Sequence, residues 1–135
     1  MLRERPCANF KESSIETSMQ KITIALADTP FEHTKGLGGC NMVPKNSGMY
    51  FDFQSVEERT FWMKDMLIPI DIVWVNEGVV VGIEKNVPNL PGNTPDSQLP
   101  RYSSPIPVDG VLEVGAGKAE EYGIQVGSKM NIDKK

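Results

Sequence analysis

The chain has 135 residues, 39% hydrophobic and 24% charged, with a formal net charge of −4. That length and balance suit one globular domain that buries about two-thirds of its unfolded surface around a single core. With no Lys/Arg cluster they exclude the electrostatic footprint of a nucleic-acid or anionic-membrane binder, and no apolar run approaches the roughly 18–20 residues of a transmembrane segment.

The opening MLRERPCANFKESSIETSMQ shows neither periodicity nor the apolar stretch of a secretion signal. Residues 1–18 read as a flexible N-terminal arm and residues 19–135 as a single β-rich domain. The sequence as it stands points to the cytoplasm, with the envelope or the extracellular space as the alternative if an export signal has been removed. Cys7 and Cys40 form neither a CxxC pair nor a dense framework. A disulfide between them stays open, and Cys7 in the arm reads as a free thiol.

In QKITIALA, Ile22, Ile24 and Leu26 alternate with Lys21, Thr23 and Ala25, the period-two pattern of a strand with one buried face. Thr29, Pro30 and Glu32 then spell a capping box with proline at the first helical position, and Lys35-Gly36 ends the helix, predicting two short turns over residues 30–35. GMYFDF is a strand with Met49, Phe51 and Phe53 on one face. Residues 60–63 and 70–75 are two strands, or one strand interrupted at Pro69, which cannot donate a ladder hydrogen bond. Asn76-Glu77-Gly78 turns the chain into VVVGIE as a hairpin. Six of the ten prolines fall between residues 86 and 107, so that segment is a long loop or flap. GVLEV is a short strand, residues 117–122 a short helix stopped by Gly123, and IQVGSKMNI a terminal strand with a turn at Gly127-Ser128. These elements predict a mainly β fold, an antiparallel jelly-roll-like sandwich or barrel with two short helices.

Most functional motifs fail on inspection. VGAGKAEEYG resembles a phosphate-binding loop, but Leu112 and Ala119 occupy positions that need glycine and Ser/Thr. His33 is the only histidine and has Cys40 as its nearest thiol, so a zinc site lacks ligands, and a Cys40/His33 nucleophile rests on composition alone. No metal site and no cofactor are expected.

The stretch RTFWMKDMLIPID, residues 59–71, remains. In IDIVWV both strand faces are apolar except for Asp71, which must sit at a strand end, accept backbone N–H bonds or pair with a cation such as Lys64 or Arg101, because a bare buried carboxylate is costly. It either pins a loop or serves binding or catalysis. Trp62 and Lys64 share a side if residues 60–64 are extended, placing an indole and an ammonium where they could line a pocket for a planar or sugar-like ligand, although such a tryptophan also suits rim packing. Trp74 reads as core. Glu113 lies on the face opposite Leu112 and Val114. It is either solvated or, if close to Asp71, half of an acid/base pair.

The sequence resembles the bacterial and archaeal family called domain of unknown function 192. The hallmark FWMKNT-x-I/L-P-L-D followed by two apolar strands stands here as FWMKDMLIPIDIVWVNEGVVVGI. ALADTPFEHTKGL, GMYFDF, the Pro88–Tyr102 loop and LEVGAGKAEEYGIQVGS follow the family order over residues 20–132. Three departures stand out: Gly38-Gly39-Cys40 replaces a methionine and nearby arginine, the proline-rich loop lacks the cysteines of many relatives, and Ser128 replaces aspartate. The resemblance implies a compact β-rich domain, jelly-roll or barrel-like, and no established activity. Its relatives' export signals make an envelope home an expectation.

The leading expectation is a monomeric, non-catalytic ligand-binding or accessory domain. Its pocket for an unknown small molecule or protein would lie between FWMKD and the flap, and Trp62, Lys64, Asp71, Tyr102 and Glu113 are its candidate ligand-binding residues. The runner-up is a hydrolase-like enzyme using Asp71 and Glu113, with Lys64 stabilising negative charge. The third reading is a protein-interaction module acting through loop 86–107.

Overall fold

The computed structural model describes residues 10–133. Among the described residues nine strands and two short helices follow one another: β1 (Lys11–Glu16), β2 (Lys21–Ala27), α1 (Pro30–Lys35), β3 (Ser47–Glu57), β4 (Thr60–Trp62), β5 (Ile70–Asn76), β6 (Val79–Val87), β7 (Arg101–Ser103), β8 (Val108–Gly115), α2 (Lys118–Glu121) and β9 (Asn131–Ile132), with one 3-10 turn at Asp96–Gln98. Seven strands form one curled sheet, a half-barrel, in the order β6-β5-β8-β3-β2-β1-β9, while β4 and β7 make a separate two-stranded ribbon. The mainly β expectation therefore holds. Neighbouring strands run antiparallel except β2 and β3, which are parallel and joined through α1. Among the described residues no helix is long and apolar enough to cross a membrane.

Local chemistry explains the boundaries. Thr29 accepts a hydrogen bond from the Glu32 N–H while the Glu32 carboxylate accepts from the Thr29 N–H, so the capping box forms and starts α1. At the β5–β6 hairpin, Glu77 and Gly78 take φ of 50° and 77°, the left-handed pair that a tight turn between twisted strands requires. Pro69 separates β4 from β5, and the alternatives of one strand or two resolve into two strands in different sheets. Asn86 and Val87 still belong to β6, and from Pro88 on the proline-rich segment carries only the 3-10 turn and three-residue β7, which pairs with β4.

Two expectations need correction. Residues 11–16 are not part of an arm: they form β1, paired along its whole length with β2 and at its end with β9. Of its side chains only Ile15 is buried, so β1 is held chiefly by ladder hydrogen bonds and its sequence shows no hydrophobic period. Cys40 is disulfide-bonded and buried, which removes it as a nucleophile beside His33. The free-thiol expectation for Cys7 lies outside the described residues.

Both faces of the sheet are covered. Ile22, Ile24, Leu26, Tyr50, Val73, Leu112 and Val114 form one core, roofed by Ala119 and Tyr122 of the α2 segment. Met49, Phe51, Ile70, Ile72, Trp74 and Val111 form the second, on the opposite face, with Leu37, Met63 and Met66 from loops. This is why β5 is apolar on both sides: each side faces a core. The outer edge of β6 is tied to the segment leading into β9 through Val80 N–H to Ser128 C=O (2.9 Å) and Met130 N–H to Gly78 C=O (2.8 Å), so the curled sheet brings its two ends together.

Candidate functional site

On the second face the β4–β7 ribbon stands over the sheet. Phe61 packs edge-on against Phe51 (ring centroids 5.0 Å apart) and against Trp74 (5.7 Å), and Phe51 and Phe53 lie nearly parallel at 6.4 Å. Between this aromatic cluster, α1 with its Gly36–Gly39 loop, and the turn after β4 opens a cleft of about 980 Å³. Phe51, Phe53, Phe61 and Trp62 line it, and Glu113 reaches it from the sheet.

The register explains how a glutamate arrives there. Glu113 on β8 is opposite Met49 on β3 and Ile72 on β5, so its side chain shares their face, with Phe51 diagonal to it. It is 5% exposed, and no hydrogen bond or ion pair engages its carboxyl group among the described residues. Burial alone pushes its pKa up to about 8, so the carboxyl is largely protonated at neutral pH.

The cations of the cleft are already committed. Arg59 lies 4.0 Å from the Phe53 ring centre, donates to the Ser55 carbonyl and pairs with Glu57 at 3.4 Å. Lys64 pairs with Asp96 of the 3-10 turn at 2.9 Å, which ties the turn after β4 to the proline-rich segment and raises the lysine's pKa through that hydrogen bond. Lys35 donates to the Gly38 carbonyl. His33 directs Nε2 at the carbonyls of Ala27 (3.0 Å) and Asp52 (2.9 Å) while its ring packs on Phe53 at 4.4 Å. Asp65 sits at φ 61°, a left-handed conformation that aspartate tolerates, and its carbonyl accepts from the Gly39 N–H at 2.9 Å, joining the glycine loop to the turn after β4.

The five residues singled out from sequence thus separate. Trp62, Lys64 and Glu113 line the cleft. Trp62 is 36% exposed, with the Arg101 guanidinium 4.1 Å and the Lys64 ammonium 5.2 Å from its ring centre, so the indole and ammonium do share a side. Tyr102 pairs with Phe61 across the ribbon and packs against the second core without lining the cleft. Asp71 lies on the other face of the sheet, 1% exposed, accepting hydrogen bonds from the backbone N–H groups of Asn86 (2.8 Å), Gly117 (3.1 and 3.2 Å) and Ala119 (3.1 Å). Asp71 and Glu113 therefore do not form the carboxylate pair that the hydrolase reading required. Sequence reasoning missed Phe61 and Arg59 as cleft residues. The alternation in GMYFDF put Phe51 and Phe53 on one face but not which face opens to a cavity, and Arg59 carries no signal of its own.

Among the described residues no group of three or more His, Cys, Asp or Glu side chains is placed to hold a metal ion. The family model for domain of unknown function 192, described as an uncharacterized ACR, matches residues 12–132. Two solved structures share the fold. One, from Sinorhizobium meliloti and described as a "putative transcription regulator", has a TM-score of 0.78 at 24% identity and covers 93% of this chain and 96% of its own. The other, a protein of unknown function from Novosphingobium aromaticivorans, has a TM-score of 0.76 at 25% identity, covering 96% of this chain and 91% of its own. No curated protein matches the chain.

Proposed function

The chain belongs to the domain of unknown function 192 family, and from the cleft that its fold builds we propose that it is a non-catalytic small-ligand-binding domain. One observation carries this reading: Glu113 is buried at an aromatic-lined cleft with no partner for its carboxyl group. A carboxyl group in so poorly solvated a position, with no hydrogen-bond partner, is disfavoured in its charged form, and a bound ligand that supplies a partner offsets that. The remaining walls suit a small ligand, with aromatic rings for contact area and polar groups at the rim for orientation. Trp62 and Lys64 belong to that rim. Asp71 and Tyr102 act as supports: Asp71 fixes the ends of β6 and α2, and Tyr102 backs Phe61.

The hydrolase reading loses its chemistry because its two carboxylates face opposite sides of the sheet. The regulator description of the Sinorhizobium meliloti structure suggests nucleic acid as a second partner class, but a net charge of −4 and a cleft whose cations are already paired do not favour it.

The test is a metabolite and glycan screen by thermal shift, followed by NMR mapping of each hit. Ligands of this site raise the melting temperature of the wild type, shift the resonances of Glu113, Phe53 and Phe61, and lose affinity in Glu113→Gln. A screen whose hits all leave these resonances unmoved, or that yields no hit, removes the reading.

A further inference from the structure

We propose that the head group taken by this cleft is an organic cation, an ammonium held between the aromatic side chains and the carboxylate of Glu113. The inference rests on the ligand-binding reading above and names the chemical class of its ligand.

Three observations converge. First, the wall nearest Glu113 is aromatic: Phe51 is its diagonal neighbour on the sheet and Phe61 stands edge-on over Phe51 at 5.0 Å. Ring faces attract cations through their quadrupole, most strongly where water is excluded. Second, the cleft's aromatic rings already receive cations from the chain itself, Arg59 on Phe53 at 4.0 Å and Arg101 on Trp62 at 4.1 Å. The same surface thus has demonstrated geometry for this contact. Third, the charges lining the cleft are unequal in their commitments. Arg59, Lys64 and Lys35 are engaged by Glu57, Asp96 and the Gly38 carbonyl respectively, whereas Glu113 has no partner among the described residues. Among the described residues the ionisable side chains lining the cleft with neither an ion pair nor a hydrogen bond are the acids Glu113, Glu58 and Asp65, so the complement the cleft lacks is positive.

A hard metal ion fits poorly, because it demands several oxygen ligands and, among the described residues, no group of three or more His, Cys, Asp or Glu side chains is placed to supply them. An anionic ligand would meet the negative faces of the aromatic rings and be repelled by Glu113 once it ionises. An organic cation meets both features at once.

Binding moves one proton. In the free protein Glu113 carries it, and when the cation docks, the O–H bond breaks, the proton goes to solvent and the carboxylate remains paired with the ligand. The other titratable or charged groups around Glu113 are His33 and Lys35 from α1, Glu58 and Arg59 between β3 and β4, and Lys64 and Asp65 from the turn after β4. Glu84 of β6 lies on the same sheet face beyond Ile72.

The experiment compares four probes built on one carbon skeleton or its nitrogen isostere. Choline is permanently charged, 3,3-dimethylbutylammonium is a primary ammonium, 3,3-dimethylbutan-1-ol is neutral and 3,3-dimethylbutanoate is an anion. Titrations of the full chain from pH 6 to 9 are expected to show one or both cations binding at least about tenfold more tightly than the alcohol, with the butanoate weakest. Affinity for the binding cation rises by up to about tenfold per pH step as pH approaches 8 and then levels off, following ionisation of Glu113. In Glu113→Gln, with its melting temperature confirming the fold, the cation preference and the pH dependence both disappear. Equal or tighter binding of the alcohol or the butanoate overturns the proposal, as does cation binding that Glu113→Gln leaves intact. Failure of all four probes beside a mapped hit of another chemistry also overturns it while sparing the ligand-binding reading. Failure of the probes and the broad screen together ends both.

Discussion

Asp71 and Glu113 sit one register step apart on neighbouring strands yet face opposite sides of the sheet: Asp71 is opposite Val114, and Ile72 is opposite Glu113. Side chains alternate faces along a strand, so no rotamer brings the two carboxyl groups together. The two buried acids therefore solve different problems. Asp71 meets a set of backbone donors, and Glu113 meets a cleft.

Glu113 makes stability depend on pH in a definite direction. Its folded-state pKa is raised to about 8 from a usual value of 4.5, so between those pH values the folded state retains a proton that the unfolded chain has released. The group's contribution is fully present below about pH 4.5, falls as pH rises and is lost above about pH 8. At about 1.4 kcal/mol per tenfold change in proton affinity the full loss is on the order of 5 kcal/mol. Glu113→Gln, which carries no proton to lose, is expected to be more stable than the wild type at pH 8–9, with a gap that closes toward pH 5. Urea unfolding at several pH values measures the difference, and a gap that does not change with pH contradicts the assignment.

Asp71 has the opposite expectation. Asp71→Asn keeps one acceptor oxygen but turns an amide N–H₂ toward backbone donors, costing about 1–3 kcal/mol. Asp71→Leu leaves the N–H groups of Asn86, Gly117 and Ala119 without acceptors and costs more, about 3 kcal/mol or above. Hydrogen exchange checks the location of the damage: the amides of Gly117 and Ala119 lose protection first.

The two tryptophans are expected to differ sharply. Trp74 is 0% exposed and Trp62 36%, so Trp74→Ala costs about 3–5 kcal/mol, while Trp62→Ala costs about 1 kcal/mol and acts mainly on ligand affinity. Equal destabilisation in denaturant titrations contradicts the placement of Trp62 at the cleft rim.

Gly110 is required by close packing. A Cβ there would overlap the Tyr50 hydroxyl, whereas one at Gly92 would meet nothing within 4 Å. Tyr50 is buried and cannot swing away, so Gly110→Ala is expected to cost about 1–3 kcal/mol through overpacking and Gly92→Ala to change stability by less than about 0.5 kcal/mol. Thermal melts of the two variants make the comparison.

Much of the scaffold is legible in the sequence because its causes are local. The capping box at Thr29 and Glu32, the alternation of Ile22, Ile24 and Leu26, the turn at Glu77-Gly78 and the core position of Trp74 all follow from residue type at short spacing. So does the need for Asp71 to be satisfied, since an acid in a two-sided apolar strand requires donors wherever it falls. The identity of those donors is not local. Gly117 and Ala119 lie 46 and 48 residues away, and only the tertiary fold brings them to Asp71. The same holds for β1, whose pairing with β2 and β9 uses backbone groups that every residue carries and so leaves no mark in KESSIE. It holds most of all for Glu113. Sequence puts it opposite Leu112 and Val114, but whether that opposite face is water, core or cleft depends on what the β4–β7 ribbon and α1 place above it. Strand periodicity determines on which side a side chain emerges, and long-range packing decides what it finds there.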